Sequence, residues 1–115
     1  MVRNGRLITP GPADNILEGI TRACIIELAR DVLHLEVIER CIDRSELYVC
    51  DELFFTGTAV ELAPVTMVDH RSIGTGAVGP IASELRRLYT AATRGHSPQF
   101  ENWVRRVSVP LAIRA

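Results

Sequence analysis

Asp14-Asn15-Ile16-Leu17-Glu18-Gly19-Ile20-Thr21-Arg22 opens the segment from which the rest of the chain is read. Beyond it the apolar positions Ile20, Cys24, Ile25, Leu28, Ala29, Val32 and Leu33 recur at helical spacing, with Arg22, Glu27, Arg30 and Asp31 mostly on the other side. That period predicts an amphipathic helix starting at Ile20. Its first amides have no intrahelical acceptor and its dipole is positive there, so an anion such as a phosphate is favoured beside Gly19, Ile20 and Thr21. Thr21 would add a hydroxyl donor. Every helix has such an end, and an ordinary capped terminus explains the same residues.

Working outward, Asn4-Gly5 between short apolar stretches is a two-residue turn signal, and Pro10-Gly11-Pro12 excludes regular structure. Residues 2–12 therefore read as a hairpin followed by a loop. Downstream, residues 35–42 are apolar and β-branched enough for a strand, and Asp43-Arg44-Ser45-Glu46 has the spacing of a capping box opening a short helix toward Val49. Residues 52–56 read as a buried strand through Leu53, Phe54 and Phe55. Residues 60–68 read as another, on which Pro64 implies an edge or bulge, with residues 69–72 as its turn. Gly74, Gly76 and Gly79 punctuate a loop leading to Pro80, after which Ile81, Leu85, Leu88 and Tyr89 mark a second helix running to about Thr93. Periodicity is weak around Pro98, Phe100, Trp103 and Val107, and residues 108–115 read as a flexible tail.

Between the two strands lies a second small-residue turn, Thr56-Gly57-Thr58-Ala59. Its exposed amides could approach an anion closely, although a plain tight turn fits it too.

The 115 residues fit one domain, with 47% hydrophobic and 23% charged residues. A net charge of −1 with dispersed arginines predicts no nucleic-acid partner, and the apolar runs are too short for a membrane span. With no secretory leader in view, a cytoplasmic location is expected. Cys24, Cys41 and Cys50 are widely spaced and His34, His70 and His96 stand alone, so we expect reduced, buried or half-buried thiols, surface histidines and no metal site. All 13 basic Lys/Arg residues are arginine. With no lysine, no side chain here can form a Schiff base with an aldehyde.

The ordered runs Asp14 through Arg22, Ile26-Glu27-Leu28-Ala29-Arg30, Asp43 through Tyr48, Asp51-Glu52, Thr56-Gly57-Thr58-Ala59-Val60-Glu61, Pro64-Val65 and Gly79-Pro80-Ile81 resemble branched-chain aminotransferases of the fold-class IV, pyridoxal 5′-phosphate-dependent group. The similarity spans residues 2–103. It implies an α/β (α+β) fold, the pseudo-barrel large domain of that group, with mixed strands and two main helices. Residues 1–107 would be the C-terminal, cofactor-phosphate-binding domain.

By resemblance, the backbone at Gly19, Ile20 and Thr21 and the hydroxyls of Thr21 and Thr58 would hold the cofactor phosphate. Leu17 would pack on the pyridine ring, Gly57 would permit close approach, and the amides of Thr58 and Ala59 would bind the substrate carboxylate. Glu18 and Glu61 lie at positions that the group does not use for the pyridinium and read as structural. No catalytic residue is identified, because the group's lysine and pyridinium glutamate match nothing here, nor does its N-terminal domain.

The expectation is a truncated or split branched-chain aminotransferase serving branched-chain amino acid biosynthesis, inactive unless a complementary N-terminal chain joins it. Substrates would be amino acids and 2-oxo acids, and binding of pyridoxal phosphate by this chain alone would be weak or absent. Self-association is expected from apolar surface around Leu17, Phe54 and Phe55. Other expectations are a fragment of a D-amino-acid transaminase or aminodeoxychorismate lyase, or a non-catalytic interaction protein on this fold. Thr56 through Glu61 favours the branched-chain type.

Overall fold

The computed structural model describes residues 1–110. Val2–Arg3 (β1) and Arg6–Thr9 (β2) pair antiparallel around Asn4 and Gly5, both at positive φ (52° and 72°). Two successive left-handed residues make the turn whose twist suits a two-residue hairpin, as Asn-Gly predicted. β2 then pairs in parallel with Val37–Glu39 (β3), Leu7 opposite Val37. The crossover between these parallel strands carries the long helix Ile20–Asp31 (α1).

Consecutive strand residues face opposite sides, so this small sheet is buried on both. Val2 and Leu7 join the main core with Ile25, Leu28 and Ala29 of α1, whereas Met1 and Ile8 join a second cluster with Cys50 and Ile73.

Leu53–Gly57 (β4) and Glu61–Val65 (β5) form a separate antiparallel hairpin, Gly57 opposite Glu61. α1 packs on β4, and the second helix, Pro80–Thr93 (α2), packs on α1 and β5. Residues Ala82, Leu85 and Ala92 are buried on one α2 face, spaced to share a helical stripe with half-buried Tyr89. The mixed α/β architecture with two main helices is the one expected.

Several local expectations need correction. The strand expected over residues 60–68 is two, β5 and Met67–Val68 (β6); Arg71–Ser72, expected to be turn, is a strand (β7) paired with β6. Strand β3 is three residues long, shorter than expected. Phe55 is 68% exposed while Phe54 packs against the core, because neighbours on a strand point to opposite faces. Ile20, assigned to the apolar helix face, is 84% exposed, because the core-facing stripe of α1 runs through Thr21, Ile25, Leu28 and Ala29 and leaves Ile20 to one side. Cys41 is exposed beyond the end of β3; Cys24 is half-buried and Cys50 buried, as expected. The weakly periodic segment contains a 3₁₀ helix, Pro98–Trp103, that seats Phe100 in the core. Of the expected tail, residues 108–110 are exposed and without regular structure, and residues 111–115 lie outside the described residues.

The capping box at Asp43 is present. The Glu46 carboxylate accepts from the Asp43 amide at 3.0 Å and pairs with Arg40 at 2.8 Å, heading a 3₁₀ helix, Arg44–Tyr48. Arg40 donating to Glu46 holds that carboxyl down at about 2. Arg44 pairs with Asp69 at 2.6 Å, and the Tyr48 hydroxyl also meets Asp69, tying this helix to the β6–β7 hairpin. Among the described residues no helix is long and apolar enough to cross a membrane.

Candidate anion-binding site

The start of α1 is built by a chain that turns tightly and then leaves its amides bare. The Gly19 amide donates back to Leu17 O at 2.8 Å, Gly19 itself is extended (φ −68°, ψ 149°), and the first helical bond is Ala23 N to Gly19 O at 3.1 Å. The N–H groups of Ile20, Thr21 and Arg22 therefore precede the hydrogen-bonded ladder. Gly19 has no side chain to cap them, and the first turn holds no acidic residue.

The second helix is the internal control. At the start of α2 the buried Glu52 carboxylate accepts from the amides of Ile81 at 3.0 Å and Ala82 at 2.7 Å. A Cβ on Gly79 would collide with that carboxyl, so glycine at the N-cap is what lets Glu52 in. One helix start is thus neutralised from within, and the other keeps its partial positive charge and its donors. Nothing local in the sequence joins Glu52 to an amide 29 residues further on, and its role was not foreseen.

Around the open terminus the expected residues take distinct places. Thr21 is only 5% exposed, its hydroxyl lying 3.4 Å from the Tyr89 hydroxyl of α2. Leu17 is 90% exposed. A Cβ on Gly19 would meet nothing within 4 Å, and one on Gly57 only Val60 Cγ2 at 3.7 Å. This chain's own packing therefore does not demand glycine at either place.

Beyond Gly57 the residues Thr58, Ala59 and Val60 form the exposed loop of the β4–β5 hairpin, and Glu61 closes it with a positive φ of 56°. Neither the amides of Thr58 and Ala59 nor the Thr58 hydroxyl has a partner among the described residues. Gly19, Ile20 and Thr21 are contiguous at one helix end. Thr58 and Ala59 belong to another element, linked to them through the packing of α1 on β4 and not by any hydrogen bond.

Glu18 and Glu61 are exposed and make no ion pair among the described residues. Arg22 is committed elsewhere, donating to Pro10 O at 3.0 Å and pairing with Glu39 at 3.4 Å.

The family model for amino-transferase class IV matches residues 1–68, more than half of the chain. The chain belongs to the class IV aminotransferase family. Among curated relatives of this family, the probable branched-chain-amino-acid aminotransferase of Aquifex aeolicus (strain VF5) is 48% identical over 104 residues, covering 90% of this chain and 33% of the relative. The crystal structure of the branched-chain amino acid aminotransferase from Thermobaculum terrenum in its PLP form superposes with a TM-score of 0.86 at 46% identity, covering 89% of this chain and 33% of that one. The branched-chain amino acid aminotransferase from Escherichia coli gives a TM-score of 0.75 at 40% identity, with 78% of this chain and 30% of that one covered. This class IV chain thus spans about a third of the length of the relatives it matches.

Proposed function

We propose that this chain is the cofactor-phosphate-binding part of a branched-chain amino acid aminotransferase, an enzyme moving an amino group between leucine, isoleucine or valine and 2-oxoglutarate. The observation that carries the reading is the α1 terminus: three free amides, no cap, no acid and no steric need for glycine, beside a helix whose own terminus is capped by Glu52. A phosphate dianion fits that place because backbone donors and a dipole stabilise it without any titratable group.

In this arrangement the amides of Ile20 and Thr21 and the Thr21 hydroxyl hold the phosphate, with Gly19 giving it close access. Thr58 supplies a second hydroxyl, and its amide with that of Ala59 orients the substrate carboxylate over Gly57. Leu17 offers one apolar wall to the ring. The packing of α1 on β4 supports convergence of the two segments.

Pyridoxal phosphate, when bound, supplies the aldehyde that takes up the amino group and the ring that accepts electrons. These 115 residues contain no lysine to carry it. The α-amino group of Met1 is buried and donates to Ile8 O at 2.8 Å, its pKa lowered by desolvation. The lysine, the pyridinium carboxylate and the side-chain pocket therefore come from polypeptide outside this span.

Mixing the purified chain with a polypeptide carrying the remaining two thirds of a relative tests the proposal. Leucine-dependent amino transfer should appear only in the mixture, and the chain alone should stay at background. Cofactor-dependent turnover by the chain alone, or a mixture no more active than its parts, would contradict it.

A further inference from the structure

We propose that Tyr89 is a positioning residue for the Thr21 hydroxyl, turning its proton toward the bound phosphate; this rests on the phosphate site proposed above. Thr21 is the second residue of α1, and side chains at a helix start lean back toward its N-terminus, where the free amides lie. A hydroxyl has one proton and two lone pairs. If its lone pairs faced the phosphate it would repel the anion, so its usefulness depends on which way the proton points.

The structure gives the buried Thr21 hydroxyl a single partner, the Tyr89 phenol at 3.4 Å, and gives the phenol no other partner among the described residues. A phenol is a far stronger acid than an aliphatic alcohol, hence the better donor of the pair. Tyr89 donating and Thr21 accepting is the favoured arrangement, and it leaves the Thr21 proton for the anion. At 3.4 Å the contact is longer than an ordinary O–H···O bond, and it should shorten as the anion draws that proton, since linked hydrogen bonds polarise one another.

The phenol is also held in place. Tyr89 sits at the core-facing edge of α2 with Leu85 and Ala92, on a helix anchored at its start by Glu52. A polar tip on an otherwise apolar stripe has no other hydrogen-bonding task among the described residues, and the packing of α2 against α1 delivers it to Thr21.

The test is equilibrium dialysis of the full chain with pyridoxine 5′-phosphate, which has no aldehyde and forms no covalent adduct. The variants are Tyr89→Phe, Thr21→Ala, Thr21→Ser and the Tyr89→Phe/Thr21→Ala double. Tyr89→Phe keeps the ring in the core and should weaken binding about three- to ten-fold, the range of one neutral hydrogen bond. Thr21→Ala should weaken it about ten-fold or more, Thr21→Ser should retain it, and the double variant should bind no worse than Thr21→Ala, because Tyr89 acts through Thr21.

Parental affinity in Tyr89→Phe alongside weak binding in Thr21→Ala would overturn the role of Tyr89 and leave the phosphate site standing. Additive losses would overturn it by showing that Tyr89 touches the ligand directly. No binding by the parent, or no loss in Thr21→Ala, would remove the phosphate site and the role of Tyr89 together.

Discussion

Replacing Glu52 with alanine should destabilise the chain more than any change at an exposed carboxylate. The substitution removes the acceptor of two amide hydrogen bonds, at 3.0 and 2.7 Å, in a side chain 7% exposed. Each hydrogen bond to a charged group is worth about 1.5–3 kcal/mol, and two sharing one carboxylate add incompletely, so a loss of roughly 3–4 kcal/mol follows. That is a large share of a stability of about 5–15 kcal/mol. With a urea m-value of about 2 kcal/mol/M, the unfolding midpoint should fall by about 1.5–2 M. Gly79→Ala, whose Cβ would strike the Glu52 carboxyl, should also destabilise, and less so in the Glu52→Ala background, where the obstacle is gone. A Glu52→Ala loss under about 1 kcal/mol, or a Gly79→Ala cost equal in both backgrounds, would refute the capping argument.

The exposed Leu17, Ile20, Phe55 and Val60 should drive concentration-dependent association of the isolated chain, and Phe55→Glu should reduce it; a monodisperse parent at high concentration in sedimentation would count against this. The Glu46 carboxyl, held at about 2 chiefly by Arg40, contributes stability that is fully present above an unfolded value of about 4.3 and is lost as pH falls through about 2. Protection of the Asp43 amide, bonded to Glu46, should accordingly decline as pH falls below about 4 and be lost near pH 2, and protection unchanged through about pH 2 would refute the pairing.

Periodicity and turn chemistry were enough to place α1, α2, the Asn4-Gly5 hairpin and the capping box at Asp43, because each is written within a few adjacent residues. The partition of strands was not legible. Whether residues 60–68 are one strand or two depends on which partner each half meets, and β6 finds β7 rather than extending β5. Phe54 and Phe55 look alike in sequence, and only the register against β5 decides which faces the core. The candidate site was singled out mainly through resemblance, since a helix start and a small turn are common. What distinguishes the α1 start, the missing cap and the contrast with Glu52 at α2, is a long-range fact that appears only when both helices are folded.

The central claim, that α1 and the β4–β5 turn form an anion site while α2 does not, is tested most directly by following backbone amides during titration with pyridoxine 5′-phosphate. Shifts should centre on Ile20, Thr21, Gly57, Thr58 and Ala59, with Ile81 and Ala82 unmoved behind Glu52. Thr58→Ala should weaken binding by about ten-fold or more, the worth of one hydroxyl hydrogen bond to a charged group, and Thr90→Ala on α2 should not. Shifts spread over the arginines, or centred on the α2 start, would contradict it.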